Sequence, residues 1–132
     1  MAQNIVKPDA FAAGAKKAFA FLEDHEFVFT SADEYRVLYT SPRFFVEILF
    51  DDRDGRLLTM VEGAVGRRNP RANLICLYRE AGLGPAQDIR EIARSSRTLS
   101  SAFSTQAHAL DRLLPALQGE RGDDLLLKCH GT

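Results

Sequence analysis

Asp51, Asp52, Asp54 and Gly55 stand together between two apolar runs in "VEILFDDRDGRLLTMVEG", residues 46–63. Carboxylates at this density can hold a hard cation, and alternating aspartates before a glycine are how an EF-hand calcium loop begins. Such a loop takes oxygen ligands at positions 1, 3 and 5, glycine at 6 and a bidentate glutamate at 12. With Gly55 at position 6, Asp52 and Asp54 fall at 3 and 5, but Phe50 falls at 1 and Val61 at 12. The closing ligand is missing and the flanks alternate like strands. The acidic cluster reads as the turn of a hairpin.

The other chemistry-bearing residues are dispersed. His25, His108 and His130 form no His-x₃-His or His-Glu-x-x-His pair. Cys76 and Cys129 lie far apart and make neither a metal-ligand nor a redox spacing, so they read as reduced thiols, Cys76 as a small core residue. No Gly-x-Ser-x-Gly elbow or phosphate-cradling glycine motif occurs. No catalytic, cofactor or metal residue is assigned. The basic stretch "GRRNPR" carries Arg67, Arg68 and Arg71, which could grip phosphates. It has no aromatic for base stacking, and the acidic N-terminal half opposes a polyanion. These arginines are instead the candidates for contact with an acidic protein partner.

The elements that would position these residues follow from composition and period. The chain has 132 residues, 45% hydrophobic and 27% charged, which suits one α+β domain over 1–132. Residues 1–66 carry 7 basic and 11 acidic side chains, and 67–132 carry 10 and 7, for a net charge of −1. That balance predicts no general attraction to nucleic acid or anionic membrane. No apolar run reaches the roughly 18 residues of a membrane span. The start lacks a basic head followed by an apolar stretch, so no cleaved leader is expected. A cytoplasmic protein is expected.

Residues 9–24 have a helical stripe of Phe11, Ala15, Ala18, Phe19 and Leu22, with Pro8 suited to the first turn. From "HEFVFT" to about residue 63 the period becomes two, and four runs joined by short turns predict an antiparallel meander. Beyond the loop at 66–71, Asn73 should cap a short helix, "LICLYREAG", stopped by Gly82. Further helices are expected over about 86–94 and 98–118, the second carrying Leu99, Phe103, Leu110, Leu113, Leu114 and Leu117 on one face with Pro115 kinking its last turn. The short run "LLLKC" remains unassigned.

The hairpin register decides which side chains share a face. A two-residue Asp54-Gly55 turn would set Arg53 against Arg56 and Glu47 against Glu62, two like-charge pairs. Only in that register could the two glutamates act as an acid–base pair. A type I turn over Asp52–Gly55, with aspartate first and glycine last, pairs Asp52 with Arg56. It sets Val46, Ile48 and Phe50 on the face of Leu58 and Met60. The opposite face then shows Phe45, Leu49, Leu57 and Val61, an apolar patch of the kind that marks an interface and here predicts a homodimer.

A helix, then "FLEDHEF", then the Tyr-rich "EYRVLYTSPRFFVEILFDDRDG", then a helical half resembles a broad group of small bacterial proteins. Some of these neighbour polymorphic toxins and resemble their immunity proteins. The likeness covers residues 15–63 and carries no catalytic residue. It implies a non-enzymatic protein-binding module, an immunity-like inhibitor that occludes its partner. The alternative is a dimeric small-molecule-binding or secretion-chaperone-like module, and an enzyme stands third.

Overall fold

The computed structural model describes residues 6–64 and 69–131. Helix α1 (Pro8–Ala18) leads into strands β1 (Val28–Asp33), β2 (Arg36–Thr40), β3 (Phe44–Asp51), β4 (Arg56–Gly63) and β5 (Arg71–Asn73). Helices α2 (Leu74–Glu80), α3 (Ser96–Gln118) and α4 (Gly122–Cys129) follow. The five strands form one sheet in chain order, every neighbour antiparallel. The α+β class is as expected, and the meander has one strand more than the four expected.

Local sequence marks the starts of α1, α2 and α3, the last two with side-chain caps. Pro8 opens α1, Asp9 lies in its first turn, and Lys16 and Lys17 lie in its last, charges that suit the helix dipole at each end. The regular helix ends at Ala18, short of the expected residue 24. A 3₁₀ turn over Ala20–His25 follows and closes on Glu26 in the left-handed region. Asn73 caps α2 by accepting the Ile75 N–H, as expected, and Gly82 sits beyond it at φ 76°. Ser95 and Thr98 form a reciprocal capping box on α3, which continues through Pro115 to Gln118.

The stretch expected to be a helix over 86–94 is instead extended where it meets β4. The Leu57 N–H donates to the Glu91 carbonyl at 2.7 Å, and the Ala93 N–H to the Gly55 carbonyl at 2.7 Å. Arg56 and Ile92 form an isolated bridge. Backbone groups that β4 needs at its free end are supplied here, and this pairing overrides a weak helical stripe. Ile92, within that stretch, is exposed.

The hairpin loop is one residue longer than the expected register allowed. Asp51, not Asp52, pairs with Arg56. The Asp51 carboxylate accepts the N–H groups of Arg53 and Asp54 at 3.0 and 3.1 Å, and the Gly55 N–H donates to the Asp51 carbonyl at 2.7 Å. Gly55 takes φ 65°, a left-handed conformation that glycine adopts without strain. The acidic cluster is a turn, organised by its first aspartate. Because side chains alternate, a one-residue slip turns all of β4 over. Leu57, Thr59 and Val61 therefore join Val46, Ile48 and Phe50 in the core, and Leu58 and Met60 face the other way.

That core lies between the inner sheet face and the helices. Phe11 of α1 stacks on Phe50 with ring centroids 6.0 Å apart and meets Phe103 of α3 at 5.7 Å. Leu110, Leu113 and Leu114 of α3 and Leu125 and Leu126 of α4 complete it. Among the described residues Thr59 and Gln106 are the two buried polar ones, and they hydrogen-bond to each other.

Cys76 and Cys129 form a disulfide, joining α2 to the last turn of α4 with Cα atoms 5.8 Å apart. This corrects the reading of both as reduced thiols. Their separation in sequence hid a contact made by two helices that both pack against β5.

Candidate functional site

The outer sheet face is where the expected partner-binding residues gather. The register sets Arg36, Leu38 and Thr40 of β2 beside Leu49, Glu47 and Phe45 of β3, and these beside Leu58, Met60 and Glu62 of β4. Arg71 of β5 pairs with Glu62 and closes the row. Leu38, Phe45, Leu49, Leu58 and Met60 all lie outside the cluster of side chains that packs with the helices. They form a second apolar group on the opposite side of the sheet.

A charge ladder runs through this apolar group. Arg71 donates from its guanidinium to Glu47 Oε1 at 2.5 Å, crossing over β4, and Arg36 donates to Glu47 Oε2. Arg71 also lies 3.9 Å from Glu62 Oε1. The Glu47 side chain is only 14% exposed, against 47% for Arg36 and 41% for Arg71. Burial pulls the Glu47 pKa up, but the hydrogen bonds and charges of Arg71 and Arg36 outweigh it and leave the carboxyl below its ordinary value. A carboxylate held ionised in this way is a poor proton carrier at neutral pH. Glu47 faces Met60 and Glu62 faces Phe45, so the glutamates are not directly opposed. Their chemistry is that of a neutralised polar centre in an apolar surface.

Of the expected contact residues, the structure brings Phe45, Leu49 and Arg71 onto this one face. Leu57 and Val61 are a correction: both are fully buried against the helices, because of the turned-over register. Arg67 and Arg68 lie outside the described residues. Arg71 belongs to a strand rather than to the basic loop, and its guanidinium is engaged by glutamates of its own sheet. Leu58 and Met60 take the places assigned to Leu57 and Val61. Leu38 and Arg36 complete the face and were legible from the alternation in "EYRVLYT".

A concavity of about 560 Å³ runs between α1 and α3. Ala10, Gly14 and Ala18 line one wall, Ser100 and Ser104 the other, and Phe103 the floor. Gly14 is required there, since a Cβ would sit 2.7 Å from the Phe103 ring. Its volume suits a small molecule. Lys17, His108, Asp111 and the serines at its rim are all solvent-exposed, so it lacks the enclosed polar groups that orient a ligand. The outer sheet face is the better-built candidate.

Two of the three histidines contact other parts of the scaffold. His25 Nε2 is 3.9 Å from Asp111, and His130 Nδ1 accepts the Arg71 N–H at 2.9 Å. Among the described residues no three His, Cys, Asp or Glu side chains converge to hold a metal ion. No described helix is long and apolar enough to cross a membrane.

Fold and face together define an α+β protein with a five-stranded antiparallel sheet, helices on one side and a mixed apolar and charged surface on the other. No family model matches the chain, and no curated protein or solved structure matches it significantly.

Proposed function

We propose that the chain is a non-enzymatic protein-binding module that docks through the outer face of its sheet, and that the partner seated there is a second copy of itself. The observation that carries this is the separate apolar group of Leu38, Phe45, Leu49, Leu58 and Met60 around a neutralised Glu47. Met60 is buried and the other four are half-buried in the single chain, and a contiguous apolar patch at a surface marks an interaction site. The five strands hold 30 residues, which at about 3.3 Å per residue and about 4.8 Å between strands give a face of roughly 475 Å². That is a little over half the roughly 800 Å² per partner of a standard interface.

Charge selects the occupant. Arg36, Arg56 and Arg71 offset all but one of Asp33, Glu47, Asp51 and Glu62 on this face, so it carries little net charge to attract a strongly acidic or basic partner. An equally neutral, equally apolar surface suits it, and a second copy related by a twofold axis supplies one.

Sedimentation velocity across a concentration series tests this. The wild-type chain should sediment as a dimer, and Leu49→Asp, which places a charge in the patch, as a folded monomer with an unchanged circular dichroism spectrum. A wild-type chain that stays monomeric at high concentration overturns the self-association.

A further inference from the structure

The free edge of β5 is occupied by the chain's own C-terminal residues. The Arg71 N–H donates to His130 Nδ1 at 2.9 Å, and the Gly131 N–H donates to the Arg71 carbonyl at 3.2 Å. Ala72 and His130 form an isolated antiparallel bridge. His130 directly follows Cys129, whose sulfur is bonded to Cys76. The strap that covers the sheet edge is thus covalently anchored one residue before it begins.

We propose that the Cys76–Cys129 disulfide is a redox latch that holds this strap on β5, and that its reduction opens the sheet edge. The inference does not depend on self-association through the outer face. Access sets the order of events. Cys129 is fully buried, whereas Cys76 is partly exposed. A thiolate of a dithiol reductant attacks the Cys76 sulfur, forming a mixed disulfide there. The Cys76–Cys129 bond breaks, and its electron pair leaves on the Cys129 sulfur, which takes a proton. The reductant's second thiolate then attacks its own sulfur in the mixed disulfide. This releases Cys76 as a thiol and the reductant as a cyclic disulfide.

What opens is local. Leu125 and Leu126 keep the first turns of α4 in the core, so the body of the helix has a reason to stay. Its last turn and the two residues after it then rely on a few hydrogen bonds, and an eight-residue helix does not hold itself together in water. When the strap leaves, the Arg71 N–H and carbonyl become unpaired edge groups, a template for an extended segment.

Hydrogen–deuterium exchange on the wild-type chain, oxidised and after dithiothreitol, tests the latch. Reduction should speed exchange at least tenfold in residues 71–73 and 127–131, with residues 106–114 of α3 unchanged. Cys129→Ser should reproduce this pattern without reductant. If that variant does not fold, the wild-type comparison still decides. Unchanged exchange at 71–73 and 127–131 overturns the proposal, as does equal acceleration through α3, which would make the bond a staple of the whole domain. Peptide mapping that finds both thiols free in air-oxidised protein overturns it at the start.

Discussion

Inside the core, the Thr59 hydroxyl donates to Gln106 Oε1 at 2.7 Å and ties β4 to the middle of α3. The Gln106 amide nitrogen donates in turn to the carbonyls of Leu57 at 2.8 Å and Arg90 at 2.7 Å. One side chain thereby satisfies three groups from the sheet and from the segment before α3. Such a residue fixes how a helix sits on a sheet, because apolar packing alone tolerates sliding.

Gln106→Ala should therefore be costly. It leaves the Thr59 hydroxyl and two carbonyls without a partner, and each buried unsatisfied group costs about 1–3 kcal/mol. Urea denaturation should show a total loss of at least about 2 kcal/mol. A loss within error of zero would mean that water takes over all three bonds. Pairing Gln106→Leu with Thr59→Val should recover part of the loss, since both ends become apolar.

Much of this was legible in advance. The stripe at 99, 103, 110, 113, 114 and 117 placed α3, and Asn73 and Gly82 bracketed α2 because cap chemistry is local. Gln106 lies on the same stripe, so its burial was readable from position, but its partners were not. The β3–β4 register was the costly error. Like-charge avoidance ruled out the two-residue turn, yet it could not separate a three-residue from a four-residue loop. That choice rests on Asp51 bonding the N–H groups two and three residues on, a local turn motif that the neighbouring Asp52 is equally equipped to form. The disulfide and β5 depend on contacts between distant segments, which no local period encodes.

Turn chemistry gives the second prediction. Asp51→Ala removes an acceptor for the Arg53 and Asp54 N–H groups at an exposed site, and should cost about 0.5–1.5 kcal/mol. Gly55→Ala should cost more. It forces a side chain into φ 65° and sets its Cβ 2.6 Å from the Arg94 side chain, although that exposed side chain can move. Thermal melts of the two variants should rank in that order, and the reverse ranking would remove Gly55 from the argument.

The Glu47 ladder predicts a pH dependence with a defined sign. Burial raises the Glu47 pKa, but Arg71 and Arg36 lower it further, so the folded value lies below the unfolded one. Its contribution to stability is present above the unfolded carboxyl pKa of about 4.3 and is lost as pH falls through the folded value. Glu47→Gln should be less stable than wild type at neutral pH. The gap should close as pH falls below about 4. Parallel unfolding curves with a constant gap down to pH 2 would mean that Glu47 has the same pKa folded and unfolded.

Adjacent leucines provide the decisive test of the register. Leu57 is fully buried and pairs with Phe50 on the inner face, while Leu58 is partly exposed and pairs with Leu49 on the outer one. Leu57→Asp would bury a carboxylate with no cation beside it, a cost of several kcal/mol that few domains survive. Leu58→Asp puts the same group on the outer face, where it meets water in the free chain and should leave it folded. Ile48→Ala provides the scale for the inner face. Ile48 is fully buried opposite Thr59, and the truncation should cost about 2–5 kcal/mol. The expected result is that Leu57→Asp is unfolded or recovered only as aggregate, while Leu58→Asp gives a native circular dichroism spectrum and a cooperative melt. If Leu58→Asp unfolds and Leu57→Asp does not, β4 is turned over. The three-residue loop would then be the true one, and Leu57 and Val61 would return to the outer face.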